Sequence, residues 1–145
     1  MPTTQSLAAS FHQAQPEEAG PRLILFAFRQ MGAHGLDDAC TAHSFMTAFG
    51  KDFRRPLVLL RTLMMELSAA STGPIQIAPW CCARMTAAEA GILNVLERCQ
   101  TNPSVAALLL ADMLGTRDAR GPLATATALA VAFHDLGLPL GMPEV

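Results

Sequence analysis

The sequence predicts an all-α fold, a single-domain bundle of about six short helices with irregular or orthogonal packing. Three observations favour it. Proline stands repeatedly where a helix could begin and glycine where one could end, as expected from the fixed φ of proline and the left-handed backbone open to glycine. Between these breaks, apolar residues recur at the spacing of one helix face. Tyrosine is absent and aromatic residues make up only 6% of the chain, which favours helices over sheet.

The domain organisation follows from length and composition. Residues 1–19 are polar and irregular, and we expect a flexible N-terminal tail there. Residues 20–145 are expected to form a single helical domain, because 145 residues suit one core and no linker divides them.

The first half of the domain predicts three helices. The first covers residues 21–33 and the third residues 56–70. The second begins near Asp37 or Asp38, whose carboxylates suit a helix N-terminus, and ends before Gly50. The inward faces are expected to be, helix by helix, Leu23, Phe26, Ala27, Gln30 and Met31; Ala39, Ala42, Phe45, Met46 and Phe49; and Leu57, Leu60, Leu63, Met64 and Leu67.

The second half predicts three more helices after an extended connector at residues 75–78. Thr86-Ala87-Ala88-Glu89 is a capping box, which opens the fourth helix. Asn102-Pro103 caps a fifth helix that ends at Gly115, and the sixth covers residues 121–137. The sixth is apolar nearly all round, which predicts a central position or, alternatively, a dimer interface. We expect helices two, three and six at the centre.

Composition restricts the classes of function. Apolar residues make up 51% and charged residues 15%, so a second copy or a protein partner could cover part of the surface. A net charge of −2 argues against broad nucleic-acid binding. No apolar run approaches the roughly 18 to 20 residues of a membrane span, and the N-terminus does not resemble a signal peptide. With four cysteines, we expect a cytoplasmic protein with free thiols.

Three stretches of the sequence resemble a family of small uncharacterised bacterial proteins. They are residues 31–39 (MGAHGLDDA), 53–61 (FRRPLVLLR) and 81–86 (CCARMT). The likeness covers most of the chain after the N-terminal tail. It implies a bacterial cytoplasmic protein of unknown function, without an assigned activity, substrate or catalytic residue.

Cysteine and histidine supply one candidate site. Cys40 and His43 share a face of the second helix, and Cys81 and Cys82 precede the fourth. Together these four residues have the number and softness of ligands that structural zinc needs, although their spacing is not a recognised zinc signature. Alternatively, Cys40 and Cys82 are small buried apolar residues and His43 lies at the edge of the core or is exposed. In a third interpretation, Arg84 and the following helix N-terminus activate the Cys81-Cys82 thiols for redox or nucleophilic chemistry.

A basic loop supplies the second candidate site. Lys51, Arg54 and Arg55 precede a helix start, where backbone N–H groups and guanidinium groups could bind phosphate or carboxylate. Arg29 and Arg61 would add to it if the first and third helices pack together. Alternatively, the loop is a solvated turn whose arginines pair with nearby acids. Those acids are Asp37, Asp38 and Glu66.

The best functional hypothesis is a non-enzymatic binding or regulatory module that acts through protein contacts, with a homodimer as one form. The sequence contains none of the motifs GxGxxG, GxxxxGK[ST], GxSxG or HExxH. A metal-binding or thiol redox-responsive protein with a Cys/His cluster is the alternative, and zinc would be its cofactor. An enzyme would need a pocket that joins a thiol, a histidine and the arginine loop.

Overall fold

A computed structural model of the protein describes residues 13–141. Six α-helices dominate this range, as the sequence predicts. Their bounds are α1 Ala19–His34, α2 Ala39–Phe49, α3 Arg54–Ala70, α4 Ala87–Arg98, α5 Pro103–Leu114 and α6 Arg120–Asp135. A 3₁₀ turn, Gly50–Asp52, joins α2 to α3. Two short strands, β1 (Gln13–Ala14) and β2 (Arg84–Met85), pair antiparallel.

The helices pack as one domain around α3 and α6. These two helices run along each other, and α4 packs along α5 to complete the core. The predicted inward face of α3 is confirmed, because all five of its residues are buried. A hydroxyl of α6 crosses to α3, where Thr125 donates to Glu66. The predicted central position of α6 is also confirmed, since Leu129 and Phe133 are fully buried.

The prediction that α2 is central is wrong. Only Thr41 and Phe45 are buried on this helix, while Ala39 and Met46 are exposed. The helix lies at the edge of the bundle, and Phe45 stacks edge-on against Phe133 at 5.9 Å between ring centroids. Phe49 also packs edge-on against Phe133, at 5.0 Å, so two aromatic residues dock a helix whose Ala39 and Met46 face outward.

The predicted inward face of α1 is only partly right. Ala27 and Met31 are buried, but Leu23, Phe26 and Gln30 are half-buried. The buried face is rotated toward residues that include Ile24, Phe28 and Arg29. A hydrophobicity pattern predicts that a charged residue such as Arg29 is exposed. The predicted buried face of α1 therefore differs from the observed one.

Helix ends follow the predicted chemistry more closely. The Asp38 carboxylate accepts a hydrogen bond from the Thr41 N–H at 2.8 Å, and the capping box of Thr86 and Glu89 is complete. Gly115 ends α5 in the left-handed conformation. However, α3 begins at Arg54, two residues before Pro56, so the arginines predicted in a loop lie in the first helical turn.

Residues 75–78 have no regular secondary structure, in agreement with the predicted connector. The pairing of Gln13–Ala14 with Arg84–Met85 was not predicted. Of the tail predicted over residues 1–19, residues 1–12 lie outside the described range. No helix of residues 13–141 is both long and apolar enough to cross a membrane.

Candidate functional site

An ion pair at the centre of the molecule joins α1 to α4. The Arg29 Nε donates to Glu89 Oε2 at 2.9 Å, and its Nη2 donates to Glu89 Oε1 at 3.1 Å. Both residues are 3% exposed. Such a bidentate pair fixes the direction of the guanidinium plane as well as its position.

Backbone groups complete the coordination of Glu89. Its carboxylate accepts hydrogen bonds from the N–H of Thr86 at 2.9 Å and of Ala78 at 3.2 Å. The carboxylate thus caps α4 and also holds the connector that precedes it. Among the described residues, no buried side-chain nitrogen or oxygen lacks a hydrogen-bond partner. Full satisfaction offsets the cost of removing two charges from water.

The remaining donors of Arg29 hold the chain before α4. Nη1 donates to the carbonyl of Cys82 at 2.7 Å, and Nη2 donates to the carbonyl of Arg84 at 2.8 Å. The Gln15 amide also donates to the Cys82 carbonyl at 2.7 Å. We call residues 76–86 the Trp80 loop, and we call Arg29, Glu89 and the backbone groups that they bind the Arg29 network. The network fixes the backbone of the loop from inside.

The outer side of the Trp80 loop presents the only tryptophan of the chain. A tight turn closed by the Cys82 N–H and the Pro79 carbonyl, 3.0 Å apart, leaves Trp80 70% exposed. Beside it lies a cleft of about 230 Å³, which we call the Trp80 cleft. It is lined by Gln15, Arg22, Leu25, Phe26, Arg29 and Trp80.

The residues predicted as zinc ligands lie on two separate elements. Cys40 and His43 are exposed on α2, while Cys81 is exposed and Cys82 half-buried in the Trp80 loop. Within residues 13–141, no three His, Cys, Asp or Glu side chains are placed so that they could hold a metal ion. The zinc site therefore stays a prediction that the geometry does not support, and metal analysis of the purified protein would test it.

The thiols differ in their surroundings. Cys99, directly after the last residue of α4, is 3% exposed, and burial raises the pKa of its thiol, with a smaller opposing effect of the Thr127 hydrogen bond. Arg84 is exposed, and its carbonyl is one of the groups that Arg29 holds. Activation of the Cys81-Cys82 thiols by Arg84 stays a prediction.

The predicted anion-binding residues do come together. Lys51, Arg54 and Arg55 line a cleft of about 230 Å³, the basic cleft, with Asp52, Asp135 and Leu136. Arg55 lies 4.0 Å from Asp135, and both side chains are more than half exposed. The basic cleft therefore contains carboxylates that partly neutralise it.

Two further arginines do not join the basic cleft, contrary to expectation. Arg29 is buried in its own ion pair, and the Arg61 Nε donates to the Leu36 carbonyl at 2.8 Å. Two of the three acids proposed as partners are engaged otherwise, because Asp38 caps α2 and Glu66 accepts from Thr125, while Asp37 is exposed. The ion pair of Arg55 at the start of α3 with Asp135 at the end of α6 was not predicted.

An apolar groove of about 730 Å³ lies between α1, α3 and residues 73–77. None of the described residues that line it is charged, and Met65 at its edge is 56% exposed. The groove is thus an apolar surface next to residues 75–78, the connector that leads into the Trp80 loop.

Sequence reasoning missed the Arg29 network and Trp80. One signal for the network was present in the sequence, since Arg29 directly follows the apolar run of residues 23–28 within one helix. The capping box placed Glu89 correctly but gave no indication of a partner 60 residues away. For Trp80, the only signal was a large aromatic residue in a proline-flanked loop.

The fold and the site define a small six-helix protein with a tryptophan-bearing loop whose backbone is hydrogen-bonded to a buried ion pair. A family model described as "Family of unknown function (DUF6628)" matches residues 8–138, and the chain belongs to that family. No curated protein and no solved structure matches the chain.

Proposed function

We propose that this protein is a non-enzymatic binding module that acts through protein contacts, and that the Trp80 loop is its contact surface. The observation that carries the proposal is the 70% exposure of Trp80 on a backbone fixed by a buried ion pair. Tryptophan is enriched among the residues that dominate binding energy at protein interfaces.

Rigidity of the loop favours binding. Association costs the ordering of loops and side chains, and a backbone that is already fixed avoids much of that cost. The Arg29 network supplies this order through hydrogen bonds to Cys82, Arg84 and Ala78. Its donors and acceptors are occupied by the loop itself, so a structural role accounts for both buried charges without a reaction.

Cellular context supports the same proposal. All four cysteines are free, as expected in the reducing bacterial cytoplasm that we infer for this protein. A net charge of −2 favours a protein over a nucleic acid as partner. A second copy of the chain is the first partner to test, because the apolar groove and the Trp80 loop both offer surface that self-association could cover.

Site-directed photo-crosslinking tests the proposal. A photoreactive phenylalanine analogue replaces Trp80 in cells of the source organism, and Leu108, which is 72% exposed on α5, receives the same analogue as a control. We expect a protein adduct of discrete mass from position 80, absent at position 108. An adduct of twice the monomer mass, together with concentration-dependent sedimentation of the purified protein, identifies a homodimer.

The proposal is wrong if position 80 gives no protein adduct, or if both positions give the same set of adducts. A further variant, Arg29→Met, shows whether the rigid loop matters. We expect it to weaken the adduct from position 80 at temperatures where circular dichroism shows that the helices are intact.

A further inference from the structure

We infer that the Trp80 cleft binds an acidic segment of a protein partner, with an apolar side chain against the indole and a carboxylate on Arg22. This inference rests on the proposed function and specifies the chemistry of the partner. It follows from the charge, the polarity and the size of the cleft.

The cleft carries one uncompensated positive charge. Its described lining contains two guanidinium groups, of Arg22 and Arg29, and no carboxylate. The charge of Arg29 is neutralised by Glu89 at 2.9 Å. Arg22 is exposed and takes part in none of the three ion pairs found in residues 13–141. An anionic group of a partner would therefore find its counter-charge at Arg22.

The polar groups at the cleft favour an acceptor over a donor. The Cys82 carbonyl already accepts from both the Gln15 amide and the Arg29 guanidinium, each at 2.7 Å, which occupies its two lone pairs. The Arg84 carbonyl also accepts from Arg29. These two carbonyls belong to the backbone that Arg29 binds and do not line the cleft. Within the lining, the free guanidinium donors are those of Arg22, which match a carboxylate in geometry.

The apolar part of the cleft determines which side chain of the partner segment lies beside its carboxylate. Leu25 is 4% exposed and forms the floor, while Phe26 is half-buried and Trp80 largely exposed beside it. A volume of about 230 Å³ is smaller than the roughly 300–1,000 Å³ of small-molecule sites. It suits one or two side chains of a larger partner, so we assign it to a peptide segment rather than to a free metabolite.

Trp80 is its own reporter in the experiment that tests this inference. The chain has one tryptophan and no tyrosine, so emission excited at the red edge of indole absorption comes from Trp80 alone. The full-length protein is titrated with the blocked peptide Glu-Glu-Leu-Glu-Glu. Two control peptides replace the glutamates by glutamine or the leucine by glycine. We expect a saturable change of emission with the acidic, leucine-containing peptide and weaker binding of both controls.

Variants locate the contact. We expect Arg22→Ala to weaken binding about fivefold, the effect of losing one exposed charge pair. Arg98→Ala, which removes an exposed arginine outside the lining of the cleft, is the matched control and should bind as the wild type does. Trp80→Ala, followed by calorimetry because it lacks the reporter, should weaken binding by more than about tenfold. Circular dichroism shows whether each variant is folded.

Several outcomes would overturn the inference. They are no saturable change with the acidic peptide, equal binding of the glutamine peptide, equal binding of an oligothymidylate of the same charge, and an equal loss in Arg98→Ala and Arg22→Ala. If position 80 forms protein adducts in cells while the acidic peptide does not bind, the inference is wrong and the proposed function stands.

Discussion

Arg29 and Glu89 are separated by 60 residues, yet their side chains meet at 2.9 Å with 3% of each residue exposed. The pair connects α1 with the N-terminus of α4 and places the intervening Trp80 loop on the surface. A buried pair of this kind need not stabilise the fold more than an apolar pair would, but loss of one partner is costly. The first prediction follows from this asymmetry.

Glu89→Gln should destabilise the protein by about 3–5 kcal/mol, because the buried Arg29 charge loses its counter-charge. Urea denaturation of wild type and variant measures the difference. The double variant Arg29→Met/Glu89→Gln should lose less than the sum of the single variants, since no unpaired charge then remains.

Asp135→Asn provides the matched control, because the Arg55–Asp135 pair is exposed and 4.0 Å apart. Its effect should stay within about 1 kcal/mol. Equal destabilisation by Glu89→Gln and Asp135→Asn would contradict the structural role that we assign to the buried pair.

Gly115→Ala should destabilise the end of α5 by about 2 kcal/mol, because its φ of 70° is unfavourable for a side chain. An added Cβ would also clash with the Thr72 Oγ1. Thermal or urea unfolding measures the loss. Thr72→Ala removes this contact and also a hydrogen bond to the Leu114 carbonyl, so the loss in Gly115→Ala/Thr72→Ala relative to Thr72→Ala measures the backbone strain.

Gly73→Ala is the control for that substitution. An added Cβ at Gly73 would meet no atom within 4 Å, and its φ lies outside the left-handed region. We expect a change within about 0.5 kcal/mol. If both glycine variants were equally stable, the left-handed cap would not contribute as described.

Cys99 should react with iodoacetamide far more slowly than the exposed Cys81, as mass spectrometry after timed alkylation would show. Burial both blocks access and raises the pKa of the Cys99 thiol. Because the folded protein then holds this proton more tightly than the unfolded chain, the free energy of unfolding should fall as the pH rises above the usual thiol pKa. Cys99→Ala should show a smaller decrease at alkaline pH. Alkylation of Cys99 at the rate of Cys81 would refute its burial.

Phosphate should raise the thermal midpoint of the wild type more than that of Arg54→Ala/Arg55→Ala if the basic cleft binds anions. Two cationic side chains at the start of α3 favour binding, whereas Asp52 and Asp135 oppose it. Sodium chloride at matched ionic strength separates binding from screening. Arg61→Ala is the control, since the Arg61 Nε donates to Leu36. An equal rise in wild type and double variant would exclude the anion site.

The helices and their caps could be predicted because residue patterns within a few positions of the chain determine them. The buried face predicted for α3 is confirmed at all five positions, because only apolar residues occupy those positions and the helix packs against α6. The capping box at Thr86 was right because both of its partners lie within one turn. Such signals need no knowledge of the tertiary structure.

The candidate site could not be predicted in the same way. Whether Arg29 points inward depends on Glu89, and only the packing of α1 and α4 brings the two together. The pattern therefore shifted the face of α1 and assigned Arg29 to an anion site that it does not join. For α2, apolar composition suggested burial, but Met46 is 49% exposed. An apolar residue at helical spacing indicates a face without showing what covers it.

The pairing of Arg29 with Glu89 also affects how the chain tolerates change. Residues 76–83 lack regular secondary structure, which ordinarily marks a segment that proteases cut and insertions lengthen at little cost. Here the Cys82 carbonyl and the Ala78 N–H are bound to Arg29 on α1 and Glu89 on α4, so opening the segment at these points breaks hydrogen bonds to a buried ion pair. Nicking and length variation should therefore concentrate at the turn before α6 and spare the stretch around Trp80.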